Sequence, residues 1–234
     1  MYPFATPLAP LVARLPYACL LLACCAIMPA RALDPSVRLA DYHHTTWTAK
    51  EGAPAEITTM AQTRDGWLWL GADSGLYRFD GVRFSKFAAI DGSTPPATTI
   101  SNLYAMDNGD LLVGYHTGGL SLVREGKLLP LRNREQVRAS YQAEVNVDGS
   151  LWIAALRGLH RYHAGTWTTF GAAQGFAGMD AQTITLDHYG RLWAGDREQL
   201  YLLDRQQGRF VRHAAGGANA IVPSPDGRVW RGLG

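Results

Sequence analysis

A recurring glycine constrains the fold of this chain more than any other feature. It returns at intervals of 43, 40, 41 and 37 residues, each time inside a phrase close to Asp-Gly-x-Leu-Trp-x-Gly. The five glycines are Gly66, Gly109, Gly149, Gly190 and Gly227. An internal repeat of about 40 residues, built from short apolar runs and glycine turns, is typical of propellers and other arrays. We therefore interpret the chain as one small unit repeated along the sequence.

Each unit predicts four short strands. Asp-Gly between apolar runs favours a two-residue hairpin, because glycine takes the required positive φ without strain. A second glycine turn follows in the first four units, at Gly81, Gly126, Gly165 and Gly208. In the first unit these turns separate four predicted strands: Ile57 to Gln62, Trp67 to Leu70, Leu76 to Phe79, and Phe84 to Phe87.

The second strand of each unit is apolar on successive residues, so both of its faces must be covered. Blades stacked around an axis provide that cover. The sequence therefore predicts an all-β fold, a β-propeller of four-stranded antiparallel blades, with four complete blades, a partial fifth and an incomplete ring. The predicted blade spans are 53–92, 97–135, 139–175, 180–215 and 219–234. A recurring tryptophan is predicted to fill the space between blades, at Trp69, Trp152, Trp193 and Trp230, with Leu112 in its place in the second unit.

The two ends of the chain predict unpaired strand edges. Residues 33–48 are predicted as a leading strand, because Arg38 to Thr48 align with the fourth strand of a blade; the strand either ties a ring shut or is an unpaired arm. Ala220 to Ser224 and Val229 to Arg231 supply the first two strands of a fifth blade. We expect a fragment of a larger propeller or a truncated gene product, with aggregation-prone edges.

These residues resemble a known family. Asp65-Gly66-Trp67-Leu68-Trp69-Leu70-Gly71 followed by Gly75-Leu76-Tyr77-Arg78-Phe79-Asp80-Gly81 is similar to the two-component regulator propeller repeat. The resemblance covers Leu39 to Gly234 and is sharpest from Asp41 to Phe87. It implies the exported sensing part of a bacterial receptor that ends in a histidine kinase or a diguanylate cyclase. The sequence departs from that pattern because no transmembrane helix, linker domain or kinase follows.

Residues 1–32 are predicted to be a signal peptide. Arg14 precedes an apolar stretch from Leu15 to Met28, and Ala30-Arg31-Ala32 gives a small-residue cleavage site, with cleavage near Ala32. The apolar stretch is shorter than the roughly 20 residues that span a bilayer. A membrane anchor and a lipoprotein signal ending at Cys24 are the alternatives. We expect a periplasmic or secreted protein without a membrane span in the mature chain.

Composition excludes several function classes for the mature chain. All three cysteines lie in the predicted signal peptide, so the mature chain has no disulfide and no thiolate nucleophile. Without the two arginines of that segment, 20 basic residues stand beside 20 acidic ones. No basic block remains, so nucleic acid and anionic membranes are not expected partners.

The sequence offers no recognisable catalytic or cofactor motif. It has no Gly-x-Ser-x-Gly elbow, His-Glu-x-x-His motif, phosphate loop or dinucleotide fingerprint. Asp107-Asn108-Gly109-Asp110 lies at the turn position of the repeat and is interpreted as a turn. The histidines follow no ligand spacing and are interpreted as surface or packing residues: His43, His44, His116, His160, His163, His188 and His213. We predict no catalytic residue, no metal and no cofactor.

A ligand site is expected on one face of the blades. Connections between second and third strands, and from one blade to the next, emerge together around the central channel, and loops on a rigid scaffold concentrate binding residues. The longer connections are Ala88 to Thr99, Arg132 to Ala139 and Gly171 to Asp180. The candidate ligand-binding residues are Asp73, His116, Arg157 and Arg197. The two arginines suit an acidic or sugar-acid ligand; the alternative is that each residue is a solvated turn residue.

Three interpretations of function follow. The first is a periplasmic ligand-sensing propeller, the input part of a two-component or diguanylate cyclase receptor. Its expected partners are an unknown small molecule or oligosaccharide and, through the open edges, a second propeller. The second is an exported propeller enzyme, a polysaccharide lyase or a glycosidase, because fold does not decide function. The third is a remnant without a task of its own.

Overall fold

The computed structural model describes residues 37–131 and 137–232. The predicted signal peptide, its cleavage point at Ala32 and most of the connection Arg132 to Ala139 lie outside the described residues. The chain divides into two units, Met1–Thr46 and Trp47–Gly234. Every named strand belongs to the second unit. None of the helices in the described part of the chain is long and apolar enough to cross a bilayer.

The predicted leading strand is not a strand in this structure. Residues 37–48 hold a short 3₁₀ turn, Leu39–Asp41, and no strand. The backbone N–H of Asp41 donates to the carbonyl of Arg38 at 2.9 Å, and the Arg38 guanidinium donates to the Asp41 carboxylate at 3.0 Å. These local bonds satisfy polar groups that a strand would have to pair with another strand.

In the described residues, eighteen strands form five antiparallel sheets, which we call blades one to five. Blade one is β1 (Ile57–Gln62), β2 (Leu68–Ala72), β3 (Gly75–Phe79) and β4 (Phe84–Lys86). Blade two is β5 (Ile100–Ala105), β6 (Leu111–Tyr115), β7 (Leu120–Arg124) and β8 (Lys127–Leu131). Blade three is β9 (Arg138–Val145), β10 (Leu151–Leu156), β11 (Gly158–His163) and β12 (Thr166–Phe170). Blade four is β13 (Thr183–Leu186), β14 (Leu192–Gly195), β15 (Gln199–Asp204) and β16 (Arg209–Ala215), and blade five is β17 (Ala220–Pro223) with β18 (Val229–Gly232).

The strands of each blade pair in chain order, so each blade is an antiparallel meander. This confirms the predicted fold class of four complete four-stranded blades and a partial fifth. Among the described residues no strand pairing joins blade five to blade one, which confirms the prediction of an incomplete ring. Gly52 and Gly175 each end a 3₁₀ turn, with φ of 87° and 83°.

Among the described residues, four buried apolar clusters lie between successive blades. The recurring tryptophan fills three of them as predicted: Trp69 is 6% exposed, Trp152 1% and Trp193 4%. The prediction is wrong for Trp230, which is 57% exposed because no further blade covers it in the described structure. Leu112 is fully buried in the remaining cluster. The sequence predicts poorer packing there, but Tyr104, Tyr162 and Trp167 pack against that cluster and supply aromatic bulk.

Each buried indole N–H finds an acceptor near the Asp-Gly turn of its own blade. The acceptors are Thr63 for Trp69 at 2.9 Å, Ser150 for Trp152 at 2.9 Å and Asp187 for Trp193 at 2.8 Å. A buried donor without a partner costs about 1–3 kcal/mol, so the turn stabilises the junction beside it.

The glycine that ends the repeated phrase allows two blades to approach closely. A Cβ atom at Gly71 would lie 2.6 Å from Ile100 of the next blade, and one at Gly195 would lie 2.8 Å from Ala218. Blade three has Ala154 at this position, and it is fully buried. The phrase therefore encodes contact between blades as well as a turn.

Candidate functional site

The blades present two faces, which we name by their connections. The upper face carries the turns between the second and third strands of each blade and the connections between blades; the lower face carries the Asp-Gly turns. The four predicted site residues all lie at the upper face, in the turns after β2, β6, β10 and β14: Asp73, His116, Arg157 and Arg197. All four are exposed. Within the described residues, no hydrogen bond or ion pair between their side chains draws them together.

A cavity of about 300 Å³ opens at the upper face of blade four. Its walls are the connection 177–180, the turn 196–199, and the side chains of Tyr201 and Arg212. Of the predicted site residues, Arg197 lines this cavity, whereas Asp73, His116 and Arg157 do not. Arg157 is adjacent, because its backbone N–H donates to Oδ1 of Asp180 at 3.2 Å.

The outer wall of the cavity is fixed by backbone packing. Gly175 lies so close to β16 that a Cβ atom there would be 2.0 Å from the carbonyl oxygen of Phe210. Phe176 is fully buried, with its ring centroid 4.7 Å from that of Tyr201. The backbone N–H of Gln182 donates to the carbonyl of Gly195 at 2.8 Å. The connection is therefore held at both ends, and the cavity is part of a formed surface.

Asp196 organises the inner wall. This side chain is 5% exposed, and its Oδ1 accepts from the backbone N–H groups of Glu198 and Gln199 at 2.7 and 2.6 Å. Its Oδ2 accepts from the Tyr201 hydroxyl at 3.1 Å. A Cβ atom at Gly178 would lie 2.1 Å from Oδ2, so the glycine leaves space for the Asp196 carboxylate. Every bond of this carboxylate therefore serves to shape the turn.

Tyr201 is held in its protonated form. Burial, followed by the negative charge of Asp196, raises the pKa of Tyr201 to about 12. At neutral pH the hydroxyl is a hydrogen-bond donor and does not act as a base. This chemistry suits recognition of a ligand better than proton abstraction.

Three of the remaining charged side chains at the cavity, Arg197, Arg212 and Glu198, have no hydrogen-bond or ion-pair partner in the described structure and can meet a ligand. Arg197 and Arg212 are exposed cations, and Glu198 is an exposed carboxylate beside the half-buried Asp180. Two guanidinium groups suit a carboxylate, and the two carboxylates suit hydroxyl donors. In the described part of the chain, no three His, Cys, Asp or Glu side chains come together in a way that could hold a metal ion.

Of the charged and hydroxyl-bearing residues that line the cavity, sequence reasoning found one and missed five: Asp180, Asp196, Glu198, Tyr201 and Arg212. Tyr201 and Arg212 lie opposite each other on strands, where the pattern predicts packing. The feature of the sequence that pointed to these residues was the length of the connection from Gly171 to Asp180. In this structure the connection folds over the upper face of blade four.

No family model matches the sequence, and no curated protein matches it. Solved structures with similar folds include the extracellular domain of the two-component system protein BT3049 from B. thetaiotaomicron, at a TM-score of 0.65 and 14% identity. The extracellular domain of the one-component system protein BT4673 from the same organism has a TM-score of 0.58 and 20% identity. A catalytically inactive virginiamycin B lyase from Staphylococcus aureus, solved with quinupristin, has a TM-score of 0.61 and 15% identity.

The alignments cover most of this chain and smaller parts of those proteins. They span 75%, 67% and 76% of this chain, and 26%, 21% and 63% of the respective structures. At such identities the comparison establishes a shared propeller fold. Sensor domains and a lyase both use that fold, so the site has to decide between them.

Proposed function

We propose that this chain is the ligand-binding input part of an exported bacterial sensor. The observation that carries the proposal is the cavity of about 300 Å³ on the upper face of blade four, walled by an anchored connection and lined by free charges of both signs. The repeat phrase resembles that of the two-component regulator propellers. The same fold in extracellular domains of two signalling proteins supports this assignment.

The proposed ligand is a small molecule or oligosaccharide that carries an acidic group. Its carboxylate binds Arg197 and Arg212, and its hydroxyls donate to Asp180 and Glu198. The protein reaches its ligand after export with removal of residues 1–32. In a complete receptor, the bound state passes through a membrane helix to a histidine kinase or diguanylate cyclase. Asp180 also accepts a hydrogen bond from the backbone N–H of Arg157, so a residue that the ligand contacts is joined to the turn after β10.

Calorimetric titration with an oligogalacturonate and with a neutral oligosaccharide of equal length tests the proposal. We expect saturable binding of the acidic ligand and a loss of about tenfold to a hundredfold in affinity for Arg197→Ala, since one charge-assisted bond contributes about 1.5–3 kcal/mol. The side chain can be removed without loosening the turn, because Gly217 packs on the backbone of Arg197.

Asp73→Ala is the matched control, because Asp73 is exposed on the same face and does not line the cavity. Equal weakening by both variants would locate binding elsewhere on the face. Absence of binding to every acidic oligosaccharide tried, with the protein folded, would count against the proposed ligand class.

A lyase is the second candidate function, because the virginiamycin B lyase shares the fold at a TM-score of 0.61. A lyase needs a group that removes a proton, and the pKa of about 12 makes Tyr201 unsuitable. Incubation with acidic and neutral polysaccharides, followed by product detection, tests this function. Turnover that disappears in Arg157→Ala or His116→Ala would favour the enzyme.

A further inference from the structure

A second cavity, of about 240 Å³, opens at the lower face between blades three and four. It lies beside the Asp-Gly turn of blade three and the outer turn of blade four, on the side opposite the candidate site. Its main lining groups are Asp148, Trp152, Arg161 and Phe170 from blade three and Leu203 and Arg205 from blade four. The inner part is apolar, and the rim is charged.

The rim has an excess of positive charge. Among the described residues that line the cavity are two guanidinium groups and one carboxylate. Arg161 binds Asp148 through Nη2 at 2.8 Å, while its buried Nε has no hydrogen-bond partner in the described structure. Arg205 is exposed and uses Nη2 on Oδ1 of Asn146 at 3.2 Å and on the carbonyl of Gly190. A buried donor on a cation that lacks an acceptor is costly, and an anionic ligand would meet the need for negative charge.

The repeat provides an internal comparison. A cavity of about 140 Å³ lies at the same position between blades one and two, with the same four residue types from its first blade: Asp65, Trp69, Arg78 and Phe87. Two of the positions that differ change the space and the charge. Trp67 replaces Ser150 and covers the guanidinium of Arg78, with 4.5 Å from its carbon to the ring centroid. Glu125 replaces Arg205. The cavity between blades three and four is therefore larger and has a net positive lining, whereas the cavity between blades one and two is smaller and has a net negative lining.

We propose that the cavity between blades three and four is a binding site for a small carboxylate with a flat apolar body. The carboxylate binds the guanidinium groups of Arg161 and Arg205, and the apolar body rests on Phe170 and Leu203. The volume is below the roughly 300 Å³ at which pockets for drug-sized ligands begin, so the ligand is a single ring or a short chain. Because the lining comes from two blades, the ligand stabilises their junction when it binds.

Benzoate is the probe, and benzamide is its neutral counterpart. With the full chain, calorimetry and thermal unfolding should show saturable binding of benzoate and a raised melting temperature, and neither effect with benzamide. Arg205→Glu, which copies the charge at the other cavity, should weaken benzoate binding at least tenfold. Arg205→Lys should give an intermediate loss, because lysine keeps the charge without the planar fork.

Two control variants separate this site from its surroundings. Glu125→Gln at the smaller cavity should leave benzoate affinity unchanged, and so should Arg197→Ala at the upper face, whether or not that face binds a sugar acid. The proposal is overturned if wild-type protein does not bind benzoate saturably, if benzamide binds equally well, or if folded Arg205→Glu binds benzoate like the wild type.

Discussion

Blades three and five carry nearly the same phrase, and their tryptophans have opposite surroundings. Trp152 is 1% exposed between blades three and four, whereas Trp230 is 57% exposed on blade five. Val222, opposite Trp230 on the neighbouring strand, is also 59% exposed. The difference teaches that the strand alone does not bury this tryptophan. The next blade buries it, so the stability encoded by each repeat is realised at the junction.

The largest expected effect compares these two tryptophans. Trp152→Ala should lower the free energy of unfolding by about 3–5 kcal/mol, because it removes a buried ring packed on Phe170 and Phe210. Trp230→Ala should cost less than about 1 kcal/mol, because most of that ring already meets water. Urea unfolding measured side by side checks both values, and similar losses would contradict the comparison.

A buried histidine extends the comparison to acid stability. His160 is 2% exposed in blade three, and burial lowers its pKa to about 4 from an ordinary value of 6.5. The folded protein therefore keeps His160 neutral. The stability that depends on neutral His160 is fully present above pH 6.5. It is lost as the pH falls towards 4, and the full loss in the free energy of unfolding is roughly 3 kcal/mol.

We expect His160→Asn to flatten the fall in unfolding free energy between pH 7 and pH 4, as measured by denaturant titration at several pH values. His213→Asn, at an exposed histidine of blade four, controls for the loss of a histidine as such. An unchanged slope in His160→Asn would show that His160 is not the group that titrates.

The glycines that end the repeated phrase extend the comparison of buried and exposed blades to the backbone. A Cβ atom at Gly195 would lie 2.8 Å from both Cβ and the carbonyl oxygen of Ala218, in the connection that leads into blade five, whereas at Gly232 the nearest atom would be 3.6 Å away, in its own blade. Gly195→Ala should cost about 1–3 kcal/mol through this collision. Gly232→Ala should change stability by no more than about 0.5 kcal/mol. Thermal unfolding of the two variants measures the difference, and an equal cost would mean that blade contact does not require the glycine.

The smallest expected effect concerns the indole acceptors. Thr63→Val keeps the shape and leaves the buried N–H of Trp69 without its acceptor, which should cost about 1–2 kcal/mol. Ser224 holds the corresponding place before the exposed Trp230, so Ser224→Ala should cost less than about 0.5 kcal/mol. Chemical unfolding checks both variants, and a neutral Thr63→Val would show that water replaces the acceptor.

The strand pattern was predictable because its causes are local. The predicted strand Ile57 to Gln62 matches the structure at both ends. Glycine turns and apolar runs specify a hairpin through neighbouring residues alone. The prediction of a strand from Arg38 to Thr48 was wrong. A strand needs another strand to satisfy its backbone hydrogen bonds, and the segment itself does not supply that partner.

The sequence predicted the face on which the candidate site lies, but not most of the residues that form it. Topology alone places Asp73, His116, Arg157 and Arg197 at the upper face, and one of them lines the cavity. Which turn becomes a site depends on how residues far apart in sequence pack.

The sequence by itself determined the repeat, the four-stranded blades and the residue that fills each junction, because φ preference and apolar pattern act between near neighbours. Tertiary structure alone decided that Trp230 is exposed while Trp152 is buried, that His160 is kept neutral and that the two lower-face cavities differ in volume. The physical reason is that burial, desolvation and empty volume are properties of the gap between two blades. They are fixed only when two blades pack together, so the sequence of one strand does not determine them.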